Sequence, residues 1–183
     1  MDAQNEVADL IERWAGGDET ALDSLLRVLS PMLTRLARLQ LNRYGGRLSL
    51  ESRDLANEVS LQLVQLTRRP ASELHLRRLI ARMVRTTSVD LSRQQQAKKR
   101  AGQRVSLSAA DGIADTDLDL LDLDQAIEGL AERDASAAAV TELKFFGGLS
   151  DAEVAETLGL SRATISRKWK FARLFLRRAL DQD

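Results

Sequence analysis

The residues with the clearest chemical potential lie at 149–180, LSDAEVAETLGLSRATISRKWKFARLFLRRAL. Within this stretch Arg162, Thr164, Ser166, Arg167, Lys168 and Lys170 bring cations and hydroxyls together with no carboxylate among them. Such groups hold phosphate oxygens, and arginine can pair bidentately with the acceptor edge of guanine. The flanking residues say how they would be positioned. Ser150 and Glu153 have the spacing of a capping box. Val154, Ala155 and Leu158 form a short apolar face, and Gly159 supplies the left-handed conformation that ends a helix. Leu160 would plug the angle between two helices, and Ser161 would cap the second. In that second helix Ile165, Trp169, Ala172 and Leu176 recur at helical intervals and mark a buried stripe. Cap, turn and cationic face together predict a helix-turn-helix whose second helix suits the major groove. The alternative at this point is an ordinary helical hairpin with a charged face.

A second basic block precedes it. Residues 68–104 hold 11 basic and 2 acidic side chains, a net +9, with Arg77, Arg78, Arg82, Arg85 and Arg93 along one predicted helix. Residues 105–149 hold 2 basic and 10 acidic side chains, a net −8. The formal net charge of zero (27 Lys+Arg against 27 Asp+Glu) conceals this segregation. Basic stripes are the electrostatic footprint of phosphate binding, although a solvated helix face explains either block alone. Attraction between the +9 and −8 segments would cover part of the basic surface in the free chain.

Catalytic chemistry finds little support. There is no cysteine, which excludes disulfides, thiolate nucleophiles and cysteine metal sites, and His75 is the only histidine. No nucleophile–base pair or phosphate-cradling glycine loop is evident, and no cofactor or metal is expected. The protein therefore reads as a binding protein and not as an enzyme. No apolar run approaches a membrane span. The start, MDAQNEVADLIERWAGGDE, is acidic and amphipathic, unlike a signal peptide, so a cytoplasmic location is expected.

The elements that must position these groups are helices. With 183 residues, 44% hydrophobic and 30% charged, two prolines and few β-branched clusters, the chain reads as all-α. Val7, Leu10, Ile11 and Trp14 share a helix face that Gly16-Gly17 ends. Asp18 would cap a second helix carrying Leu22, Leu25, Leu26, Leu29, Met32, Leu33 and Leu36, kinked or broken at Pro31 and stopped at Gly45-Gly46. A third helix is expected over about 53–67, with Leu55, Val59, Leu63 and Leu66 inward. Ser72 would cap a fourth, with Leu76, Leu79, Ile80, Met83 and Val84 inward, continuing towards Lys98–Arg100. His75 reads as a loop or first-turn residue. Residues 101–118 are small, polar and acidic and read as a linker. Beyond it, Leu120, Leu123, Ile127 and Leu130 form one helix and Ala135–Phe146 another. Trp14, Trp169, Phe171 and Phe175 are expected in the core. The expected organisation is two small helical domains, 1–100 and 119–183, joined by the acidic linker 101–118.

The order of these features resembles the sigma-70 family of bacterial RNA polymerase sigma factors, specifically the short extracytoplasmic-function (ECF) group. The matching pieces are LIERWAGGDETALDSLL at 10–26, RDLANEVSLQLVQL at 53–66, ARMVRTTSVDLSR at 81–93 and LKFFGGLSDAEVAETLGLSRATISRKWKFARLFL at 143–176. The resemblance implies that the 1–100 domain is region 2-like and the 119–183 domain region 4-like. It places Asp54, Asn57 and Glu58 on the face that meets the polymerase clamp helices. It places the fourth helix, with Arg77, Arg78, Arg82, Arg85 and Arg93, at the promoter −10 element. The helix bearing Arg162, Thr164, Ser166, Arg167, Lys168 and Lys170 falls at the −35 element. Asp90 matches a recurrent aspartate, expected to pair with a nearby arginine. Asn57, Thr86, Thr87 and Ser166 depart from the commoner family residues. No aromatic residue lies between Tyr44 and Phe145, so holding a flipped base would fall to polar groups of 67–78 such as His75 and Arg77.

The implied function is a promoter-specificity factor. It would bind core RNA polymerase, recognise the −10 and −35 elements of promoter DNA and direct transcription initiation. An anti-sigma factor is a further implied partner, and the free protein is expected to be a monomer. Two readings stand beside this one: a helix-turn-helix DNA-binding regulator acting independently of polymerase, and a sigma-like interaction module that has lost melting.

Overall fold

Eight helices follow from the apolar periodicities, in a computed structural model that describes residues 3–43, 52–99 and 120–181. They are α1 (Ala3–Ala15), α2 (Glu19–Arg43), α3 (Ser52–Val64), α4 (Glu73–Lys99), α5 (Leu120–Arg133), α6 (Ala135–Phe145), α7 (Asp151–Leu158) and α8 (Arg162–Leu180). Among the described residues there is no strand, and no helix is long and apolar enough to cross a membrane. The expected linker 101–118 and the stop at Gly45-Gly46 lie outside the described residues.

The first junction shows how local chemistry sets the helix ends. Gly17 takes φ +105°, which a side chain would resist. Asp18 then caps α2 by accepting from the Thr20 backbone N–H at 3.0 Å and the Thr20 hydroxyl at 2.6 Å. Arg13 reaches across the turn to the same carboxylate, Nη2 to Oδ2 at 2.7 Å. Arg69 ties the entry to α4 back onto this corner. Its guanidinium donates to the Trp14 carbonyl and to Glu19, and lies 6.0 Å from the centre of the Trp14 ring.

The hydrogen bond from Thr20 and the bonds from Arg13 favour the charged form of Asp18. They lower its pKa from the ordinary 3.8 to about 2. Glu153 is lowered by its hydrogen bonds to Ser150, and Asp134 by its hydrogen bond to Lys168. Each of these folded-state pKa values lies below the unfolded one, so the stabilisation is complete above the ordinary carboxylate range. It is lost as pH falls through each lowered pKa, which for Asp18 is about 2. Acid unfolding is therefore expected to begin below about pH 4, the ordinary carboxylate value. An NMR titration should place the Asp18 midpoint near 2.

The second helix runs unbroken through Pro31, so the expected break is absent. Pro31 sits on the exposed side of α2, where water can satisfy the carbonyl that loses its amide partner. A proline in a helix interior costs about 3 kcal/mol. Burying Leu29, Leu33 and Leu36 on the opposite side returns roughly 1.5–3 kcal/mol each, and the packing wins. The third helix stops at Val64, earlier than expected, and Leu66 packs half-buried beyond it.

One apolar cluster joins helices from both ends of the chain. Trp14, Leu25, Leu33, Leu36, Leu55, Leu63 and Leu76 share it with Leu120, Leu123, Ile127, Leu130, Phe146 and Leu176. A second, smaller cluster gathers Val140, Leu143, Val154, Ala155 and Ile165 around Ala81 of α4. Gln40 of α2 is fully buried and donates through Nε2 to the Phe145 carbonyl at 2.9 Å. A Cβ on Gly148, which has φ +62°, would meet Leu36 Cδ2 at 3.0 Å, so α2 and the α6–α7 turn approach very closely. Trp14 is buried as expected and Phe175 packs half-buried against the core, but Phe171 is 43% exposed. It projects from α8 beside Leu174, off the stripe of Ile165, Ala172 and Leu176 that faces inward.

Candidate nucleic-acid interface

The helix-turn-helix forms as its residue types require. The Ser150 backbone N–H donates to Glu153 Oε2 at 2.8 Å, and the Glu153 N–H donates to Ser150 Oγ at 3.4 Å. Both halves of the capping box are thus made. Removing the hydroxyl in Ser150→Ala is expected to cost about 1 kcal/mol of stability, read from a denaturant midpoint. Gly159 ends α7 at φ 65°, ψ 31°. Its positive φ would strain a side chain even though no atom lies within 4 Å of the Cβ position. Leu160 fills the angle half-buried in the smaller cluster. Ser161 then caps α8 by accepting from the Thr164 N–H at 3.2 Å.

Ile165, Ala172 and Leu176 are buried, whereas Trp169 is half-buried with the Lys144 ammonium 5.3 Å from its ring centre. The opposite face of α8 exposes Arg162, Arg167 and Lys170. Arg167 Nη2 lies 3.3 Å from the Thr164 hydroxyl, which also bonds Ser161 at 2.9 Å. Ser166 is half-buried. Lys168 is turned away from this group and salt-bridged to Asp134, the residue that caps α6. Exposed cations on the first turns lie next to the free amides and positive end of the helix dipole, a favourable setting for phosphate.

The α4 arginines divide into two sets. Arg78 and Arg82 are exposed and line a cleft of about 530 Å³ with His75. His75 lies in the first turn of α4, where its Nδ1 accepts from the Ala71 N–H at 3.3 Å. Ser72 caps that turn as expected, accepting from the His75 N–H at 3.2 Å. Arg77, Arg85 and Arg93 are instead engaged with carboxylates. Arg77 lies between Glu73 at 2.7 Å and Glu156 at 3.0 Å. Arg85 contacts Asp124 Oδ1 at 2.7 Å, Glu142 at 3.2 Å and Glu128 at 3.9 Å. Arg93 is 3.5 Å from Asp90, the pairing expected for that aspartate, and 3.9 Å from Asp124. Thr87 is buried and accepts from Gln62 Nε2 at 3.0 Å, which links α3 to α4.

Asp54, Asn57 and Glu58 lie exposed along α3. Two apolar residues extend the same helical face, Leu61 (53% exposed) and Val64 (52% exposed). Sequence reasoning followed only the buried stripe of Leu55, Val59 and Leu63 and missed them. The available signal was Leu61 three and four residues after Glu58 and Asn57, and Val64 three after Leu61, off that stripe. Among the described residues no group of three or more potential metal ligands occurs.

This is an all-α protein whose capped helix-turn-helix presents a cationic helix, the architecture of a DNA-binding factor. A family model described as ECF sigma factor matches residues 4–182, essentially the whole chain, and the chain belongs to that family. It is accordingly a sigma factor of transcription initiation, with RNA polymerase and promoter DNA as partners. The family is not known for enzymatic activity. A comparison with curated proteins found no match.

Proposed function

We propose that this chain binds core RNA polymerase, reads the −35 element through α8 and the −10 element through α4, and promotes strand opening between them. The observation that carries the reading is the capped helix-turn-helix with Arg162, Arg167 and Lys170 exposed on its second helix. Thr164 and Ser166 add hydroxyls at the same surface, and Lys168 adds a cation once released from Asp134. On α4, Arg78 and Arg82 are available for phosphate, while Arg77, Arg85 and Arg93 sit beside carboxylates with which phosphate would compete. The α3 face of Asp54, Asn57 and Glu58, widened by Leu61 and Val64, is the polymerase contact. Residues 101–118 act as the tether between a region 2-like domain at 1–100 and a region 4-like domain at 119–183. Two modest sites joined by a tether gain effective concentration on one promoter. The free protein is a monomer, and an anti-sigma factor is a further partner of the exposed surfaces.

The test is a pull-down with bacterial core polymerase followed by run-off transcription on genomic fragments. Stoichiometric binding with new, discrete start sites is the expected result. Binding without transcripts would favour a module that has lost melting. A folded dimer that binds duplex DNA and ignores polymerase would favour a regulator independent of polymerase.

A further inference from the structure

The outward side of α2 carries a basic surface that neither the −10 nor the −35 reading uses. Residues 24–50 hold five basic side chains, Arg27, Arg35, Arg38, Arg43 and Arg47, and no acidic one. Within α2, Arg27, Pro31, Arg35, Arg38 and Asn42 follow at intervals of four, four, three and four, so they share one helix face. All five are exposed. From Arg27 to Arg38 the face runs roughly 16 Å, at about 1.5 Å per residue. Among the described residues Arg27, Arg35 and Arg38 form no ion pair, whereas Arg77, Arg85 and Arg93 of α4 are all paired. The ridge is continuous with the helix-turn-helix. Gln40 donates to the Phe145 carbonyl, and Leu36 and Leu39 lie against Gly148, so the second half of α2 abuts the turn that leads into α7. Glu153, in the first turn of α7, is lowered in pKa first by its hydrogen bonds to Ser150 and further by the charges of Arg77 and Arg35. The Arg35 guanidinium therefore lies within electrostatic reach of that turn.

We propose that the arginine ridge of α2 is a third DNA-contacting surface, which grips the backbone of the duplex that the helix-turn-helix holds. The inference rests on the proposed reading of α8 as a DNA-reading helix. In a helix-turn-helix the first helix crosses the sugar-phosphate backbone while the second enters the major groove. Arg35 stands beside the first turn of that first helix, so the ridge prolongs the side on which the backbone crosses. Duplex DNA carries one charge per about 1.7 Å of axis, so a ridge of this length faces several phosphates. The composition of the ridge favours DNA over a protein partner. Three guanidinium groups and an amide, with Pro31 the only apolar residue among them, make a backbone contact and lack the aromatic or large apolar anchor at which protein interfaces concentrate their energy. Such groups bind phosphate oxygens whatever the sequence, so the ridge adds affinity and orientation and leaves base choice to α8.

The test uses the full-length chain and a dye-labelled duplex of mixed sequence, about three helical turns long, with affinity read from fluorescence anisotropy between about 50 and 200 mM salt. Each lost phosphate contact lowers the slope of log affinity against log salt by about 0.9. The triple variant Arg27→Gln, Arg35→Gln, Arg38→Gln should therefore lower the slope by about 2–3 and weaken binding more than tenfold at the low-salt end. The triple Arg→Lys variant at the same positions keeps the charge and should keep the slope. The control Arg133→Gln with Arg177→Gln removes exposed cations outside α2 and should leave the slope unchanged. An unchanged slope in the glutamine triple overturns the inference. A loss per charge that the control reproduces overturns it too, as does a loss that the lysine triple shares. A ridge-dependent affinity seen for a single-stranded RNA of equal length and not for the duplex also overturns it. Arg162→Gln with Arg167→Gln on α8 tells the failures apart. If that pair weakens duplex binding and the α2 triple does not, the proposed function stands and the ridge is a solvated face. If neither set moves duplex binding, or the parent chain does not bind the duplex, the reading of α8 falls as well.

Discussion

Leu61→Glu combined with Val64→Glu is expected to abolish binding to core polymerase while leaving the melting midpoint within about a degree of the parent. The stability half of this expectation follows from exposure. Both side chains are more than half exposed on α3, so their removal opens no cavity and buries no charge. The buried stripe of Leu55, Val59 and Leu63, which packs α3 against its neighbours, is untouched. The binding half follows from the company they keep. Two apolar residues flanked by Asp54, Asn57 and Glu58 make a small apolar centre with a polar rim, the arrangement in which binding energy concentrates. A residue at such a centre costs about 2 kcal/mol or more when truncated, and a glutamate adds the desolvation of its charge. The pair should therefore weaken association at least a hundredfold, since each 1.4 kcal/mol is about tenfold. Surface-immobilised polymerase titrated with the variant chain measures it directly. Retained affinity would move the polymerase contact away from α3.

Local chemistry was the legible part of this protein. The Ser150–Glu153 box, the left-handed Gly159 and the Ser161 cap each follow from two or three adjacent residue types. The inward stripes of α3 to α6 follow from spacing alone. What depended on distant partners was not legible. Arg85 and Asp124 are 39 positions apart in the chain, and nothing in either neighbourhood says that they meet. Gln40 and Phe145 are 105 apart, and a lone buried glutamine on a helix otherwise rich in leucine looks like a surface residue until its acceptor is known. The same limit applies to Pro31. Its effect on α2 depended on whether the bond it removes faces solvent or core, and on how much the opposite face buries. Phe171 was misplaced for a related reason. Aromatic character favours burial, but its angular position on α8 carries it off the Ile165–Ala172–Leu176 stripe. The candidate surfaces were readable as charge, but the structure shows three of the five α4 arginines already paired.

Phe146→Ala is expected to cost about 3–5 kcal/mol, the range for truncating a buried phenylalanine. Phe146 is fully buried and meets Phe145 edge-on with ring centres 4.9 Å apart. It belongs to the cluster that also contains Leu36 and Trp14, so the cavity would open where the two halves of the chain share a core. A loss of this size is a large fraction of the roughly 5–15 kcal/mol that holds a typical protein together. For a chain of this length it lowers the melting midpoint by about 10 °C. The substitution should also uncouple the halves, and the two tryptophans provide the means to see it. Trp14 is buried among the first helices, and Trp169 lies half-buried on α8. Fluorescence of Trp14→Phe then follows the second half alone, and fluorescence of Trp169→Phe the first. With Phe146 in place the two variants, each compared with circular dichroism on the same sample, should show coincident transitions, the mark of one cooperative unit. With Phe146→Ala added, the Trp169 signal should melt first, because α6 loses its anchor against α2 while the Trp14 corner keeps Arg69, Glu19 and Asp18 in place. Coincident transitions that persist after the substitution would show that the Ala81 cluster and the arginine–carboxylate contacts alone hold the two halves together.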